Sequence, residues 1–226
     1  HGFTTGSPQG QSPQALYSLK GMARAVGALL RHLDVSPMVV AGHSAGVPIL
    51  MQLLIDRQIG PDRFLGFNPA IVPPPQFYVS LLAPIVGAIV ETDLVAQGGA
   101  WLARGTALVD LMLRSTGSVL SAEQLQRYRW LCEQPEHVQA ALTMMSRWDL
   151  PQLLRDASTI RIPLELIGGT RDRWIPARLI ADVVSRLPVA RFSTIEAGHL
   201  IPDERPELVV AAILGSTSAS PMTTKS

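Results

Sequence analysis

The chain has 226 residues, 47% of them hydrophobic, enough for one sizeable core and a fit for one domain carrying an insertion rather than two full domains. A formal charge of +1 with scattered Lys and Arg makes no basic stripe, which argues against nucleic acid and anionic surfaces as partners. Cys132 is the single cysteine, so no intramolecular disulfide forms and a reducing, cytoplasmic setting is expected.

No charged stretch followed by an apolar run and a small-residue cleavage site reads near His1. The longest apolar segment, Val79 to Val90, is broken by Pro84 and Gly87 and falls short of the ~20 residues a membrane helix needs. It suits contact with a membrane surface, not a span.

After a Gly/Ser/Pro-rich opening, Ser12-Pro13 reads as an N-cap followed by a first-turn proline. Leu16, Leu19, Met22, Ala23, Val26, Leu30 and Leu33 then follow at helical spacing, predicting a helix that ends near Asp34. Met38 to Ala41 reads as a short buried strand running into Gly42-His43-Ser44-Ala45-Gly46, and Ile49, Leu50, Leu53 and Leu54 continue as a helix stopped by Gly60-Pro61. Phe64 to Phe67 is a second strand before Asn68-Pro69. From Ile71 to about Leu150, opened by Pro73-Pro74-Pro75, the pattern turns apolar and helix-favouring without a strand, as expected of an inserted lid. Alternation then resumes: strand Leu164 to Ile167, helix Pro176 to Leu187, strand Arg191 to Ile195, helix Pro206 to Leu214. Strands alternating with helices predict a mostly parallel sheet flanked by helices. The expected organisation is thus a core from residues 1–70 and 151–214, a helical lid over 71–150 and a disordered tail over 215–226.

The Gly-His-Ser-Ala-Gly turn has the form of a nucleophile elbow, in which a serine sits in a strained turn between strand and helix and glycines on either side avoid collisions. Its position between a predicted strand and a predicted helix supports that reading over an ordinary serine turn, and the backbone N–H of Ala45 would face the substrate as an oxyanion donor. Serine at neutral pH needs a general base and a group to orient that base. Asp172 follows the strand Leu164 to Ile167, and His199 follows the strand ending at Ile195. Sites in open α/β sheets lie at the carboxyl ends of strands, so Ser44, Asp172 and His199 are expected to converge. The competing readings are a capping or salt-bridging Asp172 beside Arg171 and Arg173, and a structural His199. Asp203 and Glu196 are weaker candidates for the acid, each being too close in sequence to His199. His43, at the variable position of the elbow, is expected to pack or touch substrate rather than react. His32 and His137 are expected to be solvated. Trp148, Met144 and Met145 are candidates to line an apolar pocket, with plain core as the alternative. No His/Cys/Asp/Glu spacing suggests a metal, and no cofactor is expected.

With these residues placed, residues 1 to 214 resemble the α/β-hydrolase superfamily, through the elbow and the Asp172 and His199 loops. The narrower resemblance is to the magnesium chelatase accessory proteins of bacteriochlorophyll biosynthesis. It rests on Gly66-Phe67-Asn68-Pro69-Ala70, on Ser115-Thr116-Gly117-Ser118, and on Ala141 through Pro151 with its Met144-Met145 and Trp148-Asp149-Leu150-Pro151. Glu204-Arg205-Pro206 is common to many relatives and discriminates little. The resemblance aligns His1-Gly2-Phe3-Thr4 with the loop after the family's fourth strand, so the first strands and the oxyanion loop are expected to lie outside this chain. It implies catalytic roles for Ser44, Asp172 and His199. It also implies a small apolar ligand, a porphyrin, touched by His43, Phe77, Leu81, Leu82, Met144, Met145 and Trp148, and magnesium chelatase as a partner. Two other readings stand beside ester-type hydrolysis in that pathway: a generic esterase or haloperoxidase-like serine hydrolase, and a non-catalytic porphyrin-binding accessory protein. Peripheral membrane contact is compatible with all three.

Overall fold

The computed structural model describes residues 13–72 and 108–215. The described residues begin with α1 (Pro13–Leu16) and α2 (Leu19–His32) in place of the single helix that the apolar spacing predicts. Ser18 is the cause. It adopts extended backbone (φ −67°, ψ 157°) and its Oγ accepts from Gly21 N–H while donating to Ala15 O, so it caps a new helix. The strand β1 (Val39–His43) then leads through the elbow into α3 (Gly46–Ile55), and β2 (Arg63–Phe67) follows.

Residues 108–147 carry three helices, α4 (Leu108–Ser115), α5 (Ala122–Cys132) and α6 (Pro135–Arg147). Local signals start two of them: a reciprocal capping box between Ser121 and Gln124 opens α5, and Pro135 sits in the first turn of α6. Helix α5 buries no residue fully, and α6 buries only Ala140 and Leu142. Beyond them come α7 (Leu150–Asp156), β3 (Leu164–Gly169), α8 (Ala177–Val184), β4 (Ala190–Ile195), the short α9 (Ile201–Glu204) and α10 (Pro206–Leu214). Helix α9 has no counterpart in the sequence pattern.

The four strands form one parallel sheet in the order β1-β2-β3-β4, with Gly42 opposite Gly66, Gly66 opposite Leu166 and Gly169 opposite Ile195. Successive side chains take opposite faces. Val40, Phe64, Leu164 and Leu166 join the main core with Val47 and Met51 of α3, Leu153 of α7 and Ile180 of α8. Leu65 and Phe67, with Val39 and Ile167 against them, meet Ile201 and Ala212 of the C-terminal helices on the other face. Both faces being covered explains why β2 and the run into β1 read as continuous apolar stretches rather than as an alternation, whereas β4, with Arg191, Ser193 and Thr194, buries no residue fully. Among the described residues β1 pairs only with β2, and Met38 at its start is 71% exposed.

Candidate active site

The parallel order places every βα loop at one edge of the sheet. Ser44 leaves β1 with φ 49°, in the left-handed region that a non-glycine residue enters only under constraint. The constraint comes from β2 and the loop after it: Ser44 N–H donates to Phe67 O at 2.9 Å, and Ser44 O accepts from Ala70 N–H at 3.1 Å. The two elbow glycines differ, contrary to the expectation that both avoid collisions. A Cβ on Gly42 would lie 3.0 Å from the Gly46 carbonyl carbon and the Val47 nitrogen, so the close approach of strand and helix needs glycine there. At Gly46 a Cβ would meet nothing within 4 Å among the described residues, so steric space does not require that glycine. No side chain caps α3, whose N-cap is Ala45. Val47 N–H at its start donates to Ser44 O at 3.1 Å and Pro48 carries no N–H, which leaves the N–H groups of Ala45 and Gly46 as the donors this end can offer an anion.

Ser44 Oγ donates to His199 Nε2 at 2.9 Å, and His199 Nδ1–H donates to Asp172 Oδ2 at 2.8 Å. His199 is 3% exposed and Asp172 5%. The other oxygen of Asp172, Oδ1, accepts from the Trp174 and Ile175 N–H groups at 2.8 and 2.9 Å, so the carboxylate is fully engaged and cannot swing away. The bond to Asp172 fixes the proton on Nδ1 and leaves Nε2 as the acceptor facing the serine.

Asp203 is turned elsewhere, accepting from Tyr128 OH at 2.7 Å, and Glu196 is exposed. His43 is half-buried with its ring centroid 5.2 Å from that of His199, and its Nε2–H donates to His199 O at 2.7 Å. Burial first, then the neighbouring His199, lower its pKa from the usual 6.5 to about 4, so it is neutral. Its one donor is therefore used on the backbone of His199. The indole N–H of Trp148 donates to Tyr17 O at 3.2 Å and the ring packs on the main core; Met144 is half-buried and Met145 exposed. Phe77, Leu81, Leu82 and His1-Gly2-Phe3-Thr4 lie outside the described residues. His32 is exposed, whereas His137, expected to be solvated, is half-buried and burial lowers its pKa.

Several residues at the site carried no chemical signal in the sequence. Trp174 places its ring 5.3 Å from that of His199 and donates through Nε1 to Ser115 Oγ at 2.9 Å. Thr116 O accepts from His199 N–H, and Ser118 Oγ accepts from Leu200 N–H. Glu204 accepts from Gly198 N–H through one oxygen and pairs with Arg171 through the other. Asn68 is fully buried between the Asp172 and His199 loops. Among the described residues, a cleft of about 500 Å³ is lined by Asp172 with Arg114, Gly117, Ser118, Thr170, Arg171 and Arg173, three of them arginines. Of the residues expected to contact substrate, the described ones, His43, Met144, Met145 and Trp148, do not line it.

Comparison with known proteins agrees with this architecture. The alpha/beta hydrolase family pattern matches residues 1–212, and the chain belongs to that family. It is similar to the magnesium-chelatase 30 kDa subunit of Rhodobacter capsulatus, 37% identical over 191 residues covering 82% of this chain and 64% of that protein. The chain thus spans less than two thirds of that relative's length. An uncharacterized hydrolase of Bacillus subtilis, YugF, is 27% identical over 89% of this chain and 74% of its own. Among solved structures, an alpha/beta hydrolase fold protein from Burkholderia ambifaria superposes with a TM-score of 0.68 at 24% identity, covering 92% of this chain and 74% of that one, which speaks to fold alone. Among the described residues no helix is long and apolar enough to cross a membrane.

Proposed function

We propose that the protein hydrolyses an ester-type bond in an apolar substrate, with Ser44 as nucleophile, His199 as general base and then acid, and Asp172 as the group that orients the imidazole. The observation that carries this is the unbroken hydrogen-bonded row from Ser44 Oγ through His199 to Asp172 Oδ2. In the proposed cycle Ser44 Oγ attacks the carbonyl carbon as its proton passes to His199 Nε2. The oxyanion is met by the Ala45 N–H at the open end of α3, and the imidazolium returns the proton to the leaving oxygen. Water, deprotonated by the same Nε2, then attacks the acyl carbon, and the imidazolium returns that proton to Ser44 Oγ as its bond to the acyl group breaks. In this reading helices α4 to α6 form a lid over the site.

The similarity to the chelatase subunit favours a second reading, in which the protein serves magnesium insertion into a porphyrin in the cytoplasm or at a membrane surface. There it binds the macrocycle or the chelatase, and hydrolysis is secondary or absent. A fluorophosphonate probe separates the readings. Covalent labelling at Ser44, abolished in Ser44→Ala, supports the hydrolase. An unlabelled folded protein that shifts the absorbance of protoporphyrin at micromolar concentration leaves the accessory reading and removes the enzymatic one.

A further inference from the structure

Asn68 follows β2 directly and its backbone has φ 42°, left-handed geometry that asparagine tolerates better than most residues. Its own N–H is taken by Ile167 O at 2.7 Å. The side chain, 0% exposed, then reaches two loops at once. Oδ1 accepts from Gly169 N–H at 2.6 Å, while Nδ2 donates to Gly198 O at 2.9 Å and to His199 O at 2.7 Å. Gly169 opens the loop that carries Asp172, and Gly198 precedes His199.

The surroundings leave room for little else. A Cβ on Gly169 would lie 2.4 Å from Gly198 O and 2.5 Å from Ala197 O, so the two loops already run almost in contact and the carboxamide closes the remaining gap. The His199 carbonyl receives a second donor, His43 Nε2–H, at 2.7 Å, which fills both of its lone pairs. His199 N–H is held by Thr116 O at 3.0 Å. The backbone on both sides of the His199 side chain is therefore pinned. Acceptor at one end and donors at the other is the chemistry of an amide. A carboxylate there would face two carbonyl oxygens, and an aliphatic side chain would leave the buried Gly169 N–H and the Gly198 carbonyl unpaired, at about 1–3 kcal/mol each.

We propose that Asn68 is a positioning residue, one that ties the acid loop to the base loop and so holds the His199 ring between Ser44 and Asp172. Its consequence for turnover rests on the hydrolase reading above; its consequence for the His199–Asp172 bond does not. The test uses Asn68→Asp, nearly isosteric and tolerant of the same φ, and Asn68→Gly, which keeps the backbone and removes all three bonds. Two readouts apply to folded protein: steady-state hydrolysis of a p-nitrophenyl ester, and the downfield proton resonance of His199 Nδ1–H, assigned by its loss in His199→Gln. Asn68→Asp is expected to lower kcat by about 10²-fold, the scale of a 1 Å misplacement, with KM little changed. The resonance shifts or broadens in both variants. Should the wild type turn over no ester while the resonance still moves in the variants, the hydrolase reading fails and the positioning role stands. Wild-type resonance and kcat in either folded variant would overturn the proposal. So would failure of both variants to fold, which would make Asn68 a residue that holds the fold rather than the base.

Discussion

The loops at the carboxyl ends of β3 and β4 and the helices of residues 108–147 are built on opposite principles. In the loops, Asp172, His199 and Asn68 are buried and their polar atoms are matched by named partners at the carboxyl ends of the strands. In the helical segment, α5 buries no side chain fully, Trp130 is 52% exposed, and local capping sets where the helix begins. The segment holds to the site region at a few places: the Ser115–Ser118 turn against the His199 and Trp174 loops, and Tyr128 and Gln124 on Asp203. The geometry of Ser44, Asp172 and His199 is thus set by the loops after the strands, with the Ser115–Ser118 turn bracing the His199 loop, while the rest of the helical segment is held at fewer places.

The largest effect expected on the rigid side is chemical. Asp172→Asn keeps an oxygen for the Trp174 and Ile175 N–H groups but turns an N–H toward His199 Nδ1 and favours the wrong tautomer. On the proposed mechanism kcat falls about 10⁴-fold with the melting temperature nearly unchanged. An equal loss of stability would mean that Asp172 serves as a structural cap.

Next comes packing. Leu153 is 1% exposed between α3 and the sheet, and Leu153→Ala is expected to cost about 2–5 kcal/mol in urea unfolding. Met145, 47% exposed on α6, should lose no more than about 0.5 kcal/mol on conversion to Ala. Similar costs at the two positions would erase the contrast between core and segment.

His43 gives the rigid side a pH signature. Folded, its pKa is lowered to about 4, chiefly by burial and then by His199, while the unfolded imidazole titrates near 6.5. Between these values the unfolded chain binds a proton that the folded chain refuses, so this contribution to stability, complete above pH 6.5, is lost as pH falls toward 4. His43→Gln keeps a donor for His199 O and does not titrate. Its stability should fall less steeply across that window, by at most about 1.4 kcal/mol per pH unit. Parallel pH curves for the two proteins would show that His43 binds its proton as readily folded as unfolded, so that burial does not lower its pKa.

Much of the rigid half was legible because its signals are local. An apolar run entering Gly42-His43-Ser44 marks a strand and its turn, and Asp172 and His199 each sit just past a run of strand-forming residues. What could not be read is what spans the chain. Asn68 meets Gly198 across 130 residues, and nothing in Phe67-Asn68-Pro69 says which loop its amide will find. The Ser115–Ser118 turn and Glu204 carried weight only through family likeness, yet both brace the His199 loop, because a backbone N–H needs a partner whatever its distance in sequence. The break at Ser18 was hidden for the opposite reason, since an apolar spacing compatible with one helix concealed a serine placed to cap a new one. The steric need at Gly42 but not Gly46 follows from how closely α3 returns over β1, which a five-residue motif does not encode.

The smallest expected effect tests the attachment of the helical segment itself. Tyr128 OH donates to Asp203 Oδ2 at 2.7 Å, and burial, then Asp203, push its pKa well above the usual tyrosine value, so it remains a donor throughout the ordinary pH range. Tyr128→Phe removes one hydrogen bond to a charged acceptor and leaves the ring in its cluster with Val109, Leu113 and Leu200. The expected loss is about 1–2 kcal/mol. Because α5 is otherwise half-exposed, that loss should appear as local opening: amide hydrogen exchange over residues 122–132 accelerates while exchange in β3 stays as in the wild type. If β3 accelerates by the same factor, the segment and the sheet unfold as one unit. The division between tightly bonded site loops and a helical segment that opens separately would then have to be given up.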